Sequence, residues 1–485
     1  MSDSNLTQII GREQGIELFG GDEARARRQR PTRTYREAAR EIPVFAETDV
    51  LVVGGGPAGT AAAIAAGRMG AEVMLVERYN HLGGLSTGGL VLWIDRMTDW
   101  AGTQVIRGMA HDLMDRLPAD ALQGPKRADW GSKDAATAAY WSQRTAAYHG
   151  IVTWSPTIDP EALKTLSMEM VLEQKVDLLL HAWAVEPIVE DNVMRGAIFE
   201  SKEGRQAILA KLVIDTTGDA DLLARAGASL ESDIDEDDIH HCVNTAFLVG
   251  GVDVERWLAF KAGDQSGFAD FMARGRAALA TFEKPFPSWR NDVALFMGPR
   301  LSGYSAVDVE DLTAVEIRSR RLTNGHIAFY RDHAPGFEGA FLMLGAPQVG
   351  VRHSRRLAGV NKVARAQWGE GRVWPDEIGV STSLSPNIPN ISVPYGALVP
   401  VGLDGALGAG RHVACDASSH SFLREVPQCW LTGHAAGVAA AIAVDAGVQP
   451  RAVDARRIQV ELLRQGAYLS PSVAAAVGMA APAAE

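Results

Sequence analysis

"VVGGGPAGTAAA", residues 52–63, places three glycines directly after an apolar run and directly before an alanine-rich one. A chain gives up side chains in this way where its backbone must come close to something. The run "DVLVVG" reads as a buried strand, "PAGTAAAIAAGRMG" as a helix and "AEVMLVE" as a second buried strand, so the unit is a βαβ crossover in a parallel sheet. Inside it, Gly54-x-Gly56-x-x-Gly59 has dinucleotide-binding spacing: Gly54 for the tight turn, Gly56 for approach to a pyrophosphate, Gly59 for helix–strand packing. Pro57 and Ala58 open a helix whose N–H groups and positive dipole end suit phosphate. Glu77 closes the second strand 18 residues after Gly59, with Arg78 next to it, and is placed to accept from ribose hydroxyls. That carboxylate would repel a 2′-phosphate, which disfavours NADP.

Composition narrows the classes of function. The chain has 485 residues, 47% hydrophobic and 22% charged, which is ordinary for a soluble globular protein with more than one core. A net charge of −12 argues against a nucleic-acid partner. The arginine cluster Arg25 to Arg36 is flanked by acids and reads as a solvated arm or an intersubunit tail, which leaves room for a homo-oligomer. Cys242, Cys415 and Cys429 form no CxxC pair and no even framework, which suits a reducing compartment. The N-terminal stretch shows no secretory pattern, and "GVAAAIAVDAG" (437–447) is too short to cross a bilayer, so the expected location is cytoplasmic, away from membranes.

Further along, Asp159 and Pro160 mark the start of an amphipathic helix. Strands with turns near 190–192 and 203–204 then form a small antiparallel meander that returns to "KLVIDTTGD". A second glycine-rich loop, "ERYNHLGGLSTGG" (77–89), follows the ribose-binding acid, where an NAD domain would begin another βαβ half. Taken in order, "DVLVVGGGPAGTAAAIAAGRMGAEVMLVER", "HLGGLSTGG", "DPEALK", "VDLLLHA", "IDTTGDADLLARAGA", "GVRHSRRLAGV" and "LREVPQCWLTGHAAGVAAAIA" resemble the FAD-dependent oxidoreductases that stand close to the succinate dehydrogenase/fumarate reductase flavoproteins. The resemblance runs from about 48 to 447 and implies FAD as the cofactor. It also implies that Gly54, Gly56 and Gly59 hold the pyrophosphate and Glu77 the ribose. Gly83, Gly84, Leu85 and Ser86 would border the flavin, and Gly218-Asp219 the pyrophosphate or ribitol. Asp416 and the start of the helix containing Gly433 would meet the ribitol and the pyrimidine edge.

The loop after Glu77 lacks the cysteine pair of a disulfide reductase, and no second GxGxxG is present to bind a nicotinamide cofactor. Hydride exchange between flavin N5 and a small-molecule substrate is the expected chemistry, with a separate, unidentified electron acceptor. In "VGVRHSRRLAG" (349–359), Arg352 and Arg355 are candidates to anchor a carboxylate or an oxyanion. His353 is a candidate base, because an unperturbed imidazole titrates near neutrality. The resemblance puts glutamate, more often than histidine, at that place. His81, in the glycine loop, is a weaker candidate. His240-His241 lacks the second pair that a metal site needs. Cys429 at a helix start has the setting for a lowered pKa but no resolving partner. Five tryptophans between 93 and 154 suit a cleft for a ring-shaped ligand.

The expected architecture is α/β. It comprises an N-terminal extension (1–43), a Rossmann-like FAD-binding domain with an antiparallel meander (44–230 and 400–450), an inserted α+β substrate or cap domain (231–399), and a C-terminal helix and tail (451–485). The expected activity is dehydrogenation of an alcohol or CH–CH group. The alternatives are reduction of an activated alkene or an FAD-binding electron-transfer subunit.

Overall fold

A computed structural model describes residues 32–231, 242–279 and 281–481. Its largest sheet is built on β1 (Val44–Val53), the apolar run that precedes the glycines. The chain passes through α1 (Pro57–Arg68) into β2 (Val73–Val76), and α2 (Pro160–Glu173) leads to β3 (Asp177–Leu179). The meander follows as β4 (Trp183–Glu190), β5 (Val193–Ser201) and β6 (Gly204–Asp215). The strand order is β3-β2-β1-β6-β5-β4, and the short strand Ala406–Gly408 also pairs with β6. Pairings among β3, β2, β1 and β6 are parallel, and those of β5 with its two neighbours are antiparallel.

Register decides where this sheet can receive a ligand. Val53 lies opposite both Val76 and Asp215, and Val76 lies opposite Leu179. The carboxyl ends of four strands therefore stop at one level, the place where open α/β sheets bind ligands. Asp159 caps α2 through Glu161 N at 2.8 Å, as its sequence signal predicts. A tight turn at Asp191–Asn192, both with positive φ, joins β4 to β5.

After α3 (Asp221–Arg225), a second antiparallel sheet forms from β7 (Phe247–Gly250), β8 (Phe286–Pro287), β9 (Val293–Phe296) and β10 (Phe341–Gly345), in the order β8-β9-β7-β10. Helices α4 (Val254–Gly263), α5 (Gln265–Ala278) and α6 (Val309–His333) pack against it. The shared core is aromatic: Trp257 meets Phe271, Tyr330 and Phe337 edge-on at 5.5–5.6 Å. Edge-to-face contacts of this kind add about 0.5–1.5 kcal/mol each beyond area burial.

The chain returns through α7 (Ala417–Leu423) to α8 (Val426–Ala446). By length and composition α8 as a whole, unlike its 437–447 part alone, is long and apolar enough to cross a membrane. In the fold, 83% of its most apolar window is buried inside the protein. Glycines allow that burial. A Cβ on Gly433 would collide with the Ala58 carbonyl, and one on Gly437 with that of Ala62. α8 thus lies directly on the alanine face of α1, where Ala61 to Ala66 are buried.

Candidate functional site

One cavity of about 560 Å³ opens along the carboxyl ends of the parallel strands. Its wall includes Gly54, Gly56, Pro57, Ala58, Glu77, Arg78, Gly84, Leu85, Gly218 and Asp219. Gly54 has φ +101°, and a Cβ there would stand 2.7 Å from Thr216 O. Thr216 holds the turn by donating its hydroxyl to the carbonyls of Val53 and Gly54 at 2.8 and 2.7 Å. Gly56 caps α1 with no side-chain cap, and Pro57 carries no N–H, so the first turn directs its remaining donors into the cavity. A Cβ on Gly56 would meet only Gly84 Cα, at 4.0 Å. Gly56 therefore leaves open space rather than relieving a clash. Gly84 (φ +51°) is the reverse: its Cβ would come within 2.8 Å of Gly56 Cα. The two glycine loops are pressed together.

Glu77 is fixed by two backbone donors, Gly55 N at 2.6 Å on Oε2 and Tyr79 N at 2.8 Å on Oε1. Each carboxylate oxygen keeps a further lone pair for a hydroxyl in the cavity. Arg78 lies over the Tyr79 ring at 4.9 Å and near Trp183 at 6.0 Å, so this end is aromatic as well as polar.

Asp219 shares the wall with Arg411, whose Nη1 is 2.9 Å from Oδ1. The Ser354 hydroxyl also donates to Asp219. Burial works to raise this carboxyl, but Arg411, Ser354 and Arg78 outweigh it and hold Asp219 below the ordinary aspartate value. Gly410 and Arg411 belong to the wall and were missed from sequence. The available signal was the strand–Gly–Arg sequence "ALGAGR" (406–411), a few residues before Asp416.

Beyond Leu85 the wall changes character to Trp93, Asp95, Arg96, Trp100, Tyr148 and His149, closed by Phe286, Arg352, Arg424 and Glu425. Trp93 donates to Thr145 O at 3.0 Å and Trp100 to Ser383 O at 3.0 Å, so both rings are pinned. Of the five tryptophans grouped by sequence, these two line the cavity. Trp130 and Trp154 stack on each other at 4.6 Å, and Trp141 packs in a small separate cluster. Among the described residues, Arg352 Nε is buried without a hydrogen-bond partner. A guanidinium nitrogen in that state at a cavity wall suits an anionic or carbonyl ligand. The start of α8 also reaches the wall, through Val426 and Cys429.

Seven other expected site residues lie off that wall. Gly59 serves packing, since a Cβ there would strike Gly54 O. Gly83 donates its N–H to Gly55 O at 2.8 Å, and Ser86 is buried with its hydroxyl on Gly83 O at 2.7 Å, so both shape the loop from behind. Asp416 caps α7, accepting from Ser419 N at 2.8 Å and Arg365 N at 2.7 Å. Gly433 packs α8 on α1. His353 is buried with its ring edge-on to His420 at 4.6 Å, and Arg355 is committed to Asp219 O and the Asp221 carboxylate at 3.0 and 3.1 Å. The chain leaves the wall after Arg352, in the irregular link between the short strands Gly350–Val351 and Arg356–Leu357, so His353 and Arg355 fall behind it. His81 bonds Asn80 and Gln348 and is buried below Gly88. Burial of the Cys429 thiol pushes it up to about 12, the opposite of an activated cysteine. His240 and His241 lie outside the described residues. No group of three or more metal-ligating side chains occurs among the described residues.

The family model of the FAD dependent oxidoreductases matches residues 49–462. The chain belongs to that family. Two curated relatives of this FAD dependent oxidoreductase are named digeranylgeranylglycerophospholipid reductase 2. The one from Methanothermobacter thermautotrophicus is 27% identical over 43% of this chain and 48% of its own length. The one from Methanopyrus kandleri is 24% identical over 42% and 50%. The match thus spans about half the length of these curated relatives. Among solved structures, a geranylgeranyl bacteriochlorophyll reductase-like protein of Thermoplasma acidophilum aligns over 86% of this chain and 83% of its own at 14% identity and TM-score 0.44. The p-nitrophenol 4-monooxygenase PnpA of Pseudomonas putida aligns over 89% and 88% at 13% identity and TM-score 0.45. The cofactor of the family is FAD, and the donor set fits it: an uncapped helix N-terminus, an open glycine and a fixed carboxylate stand on one wall.

Proposed function

We propose that this oxidoreductase removes hydride from an alcohol or CH–CH group of a small, ring-containing organic substrate. The observation that carries the reading is the continuity of the cavity. The same space that has Glu77 and the start of α1 on its wall also has the pinned tryptophans Trp93 and Trp100 on it. Gly54, Gly56, Glu77 and Asp219 would hold the dinucleotide, with Gly84 and Leu85 against the flavin. We read residues 231–399 as the cap that closes this space from water. Bound FAD supplies a two-electron acceptor. Trp93 and Trp100 orient a flat substrate, and Arg352 binds a carboxylate or carbonyl oxygen on it. Because the sequence holds one GxGxxG only, reoxidation falls to a separate acceptor.

A second reading, reduction of an activated alkene, has its own support. Arg352 could steady the negative charge that builds on such a substrate. The curated relatives are reductases by name. Anaerobic spectroscopy of the FAD-loaded protein separates the two. Bleaching by an alcohol, sugar, steroid or aromatic donor alone supports dehydrogenation. Bleaching only by dithionite, followed by alkene-driven return of the yellow colour, supports reduction.

A further inference from the structure

Asp95 sits on the cavity wall beside Trp93 and Trp100, and both its oxygens face one guanidinium: Arg96 Nε lies 3.0 Å from Oδ1 and Nη2 3.2 Å from Oδ2. Arg96 is itself held. Its Nη1 donates to Ser383 O at 2.9 Å, its backbone N–H donates to Ser155 Oγ at 3.1 Å, and its guanidinium stands 5.3 Å from the Trp100 ring. The backbone here is strained. Arg96, Thr145 and His149, all on the cavity wall, have φ of +46°, +60° and +52°. Such conformations are costly in non-glycine residues and gather where function over-determines the structure.

The charged and titratable groups facing Asp95 come from three elements. Arg96 is on its own segment, Arg424 and Glu425 are at the start of α8, and Tyr148 is on the short strand Ala147–Tyr148. The Tyr148 hydroxyl donates to Thr145 O at 3.1 Å, and burial and Asp95 both raise its pKa, so it keeps its proton. The dehydrogenase reading requires a group that receives a proton. The histidine that sequence offered, His353, is turned away from the wall.

We propose that Asp95 is the proton acceptor of the reaction, with Arg96 as its positioning residue. The inference rests on the dehydrogenase reading. For an alcohol, the C–H bond breaks and its electron pair leaves as hydride to the oxidised FAD. The O–H bond breaks and its proton passes to the Asp95 carboxylate, and the C=O double bond forms. For a CH–CH donor, the proton comes from the neighbouring carbon and C=C forms. Burial raises the Asp95 carboxyl, Glu425 adds to that, and Arg96 and Arg424 hold it back, leaving it above the ordinary aspartate value. The shift is toward working pH, where a general base is most effective.

The test uses the FAD-loaded full chain as wild type, Asp95→Asn and Asp95→Glu. The first readout needs no substrate. An infrared difference spectrum, wild type minus Asp95→Asn, titrated upward from about pH 4, is expected to show a protonated-carboxyl band that persists above the ordinary aspartate range. The second readout is the rate of anaerobic bleaching by the donors that act on wild type. Asp95→Asn is expected to slow it by about 10²–10⁴-fold at unchanged FAD content and to remove the acid limb of the pH profile, while Asp95→Glu recovers part of the rate. A difference spectrum without such a band, loss of FAD from Asp95→Asn, or bleaching within about threefold of wild type with the same acid limb overturns the proposal. If no donor bleaches wild type, the dehydrogenase reading fails on its own, whereas a missing titrating band overturns Asp95 whatever the donors do.

Discussion

Arg411 Nη1 stands 2.9 Å from Asp219 Oδ1, so the loop before α7 is tied to the turn after β6 on the cavity wall itself. The side chains keep only 12% and 14% exposure, so this pair is not a solvent-screened surface contact. Removing one member of a buried pair typically costs about 3–5 kcal/mol, because the other charge is stranded.

Asp219→Asn is therefore expected to lose stability of that order at neutral pH. The sign with pH comes from the lowered carboxyl. Asp219 contributes stability above the ordinary aspartate range and loses it as pH falls through its folded value. The deficit of the variant should shrink between about pH 7 and about pH 3, measured by urea unfolding of the apoprotein. An equal deficit at both would show that the charge is not what matters.

His434, on α8, bonds Gln465 Oε1 at 2.9 Å, and burial lowers it to about 4. The unfolded chain binds this proton more readily than the fold does. The contribution is thus present above the ordinary histidine value and is lost as pH falls from there to about 4. That amounts to about 3 kcal/mol, at about 1.4 kcal/mol per pH unit. His434→Gln should lose this part of the acid dependence, read as the difference in urea midpoints between the two proteins across that window.

Cys429 lies on the cavity wall yet has its thiol pushed up to about 12 by burial, with Sγ 3.4 Å from Arg424 O. Iodoacetamide at neutral pH should leave it unmodified in the folded protein and alkylate it after denaturation. Rapid modification of the native chain would mean that the start of α8 is open to solvent.

Gly433 supports packing of α8 on α1 and should behave accordingly. Gly433→Ala forces the two helices apart, with an expected loss of about 1–3 kcal/mol in the apoprotein. A variant that melts like wild type but releases FAD would restore Gly433 as a cofactor contact.

Much of the fold was legible in the sequence because its signals are local. The packing contact at Gly59, the cap at Asp159 and the meander all depend on residues close together in the chain. Gly433 and Asp416 stand off the cavity wall, which the sequence did not show, for a shared reason. A glycine or an aspartate looks the same in a sequence whether it faces a ligand, a neighbouring helix or its own backbone. Only the neighbours Ala58 O and Arg365 N show which applies. Arg411 and Asp95 escaped notice because their roles come from partners distant in sequence: Asp219 for one, the start of α8 for the other. In "VRHSRR" the charges were visible, but which of them faces inward depends on the path of the irregular link between Val351 and Arg356, which leaves Arg352 as the one charged residue of that run on the wall.

The open space at Gly56 allows the most direct test of the whole account. Its φ of −68° suits any residue, and a Cβ there meets only Gly84 Cα at 4.0 Å, so Gly56→Val should fold, at the cost of about 1 kcal/mol or less from the altered helix cap. Its side chain would then fill the space proposed for the pyrophosphate of FAD. Equilibrium titration of apoprotein with FAD should show stoichiometric binding to wild type and a loss of at least about 100-fold in affinity for Gly56→Val, with melting temperatures of the two apoproteins within a few degrees. Binding of FAD to Gly56→Val with wild-type affinity would contradict the account.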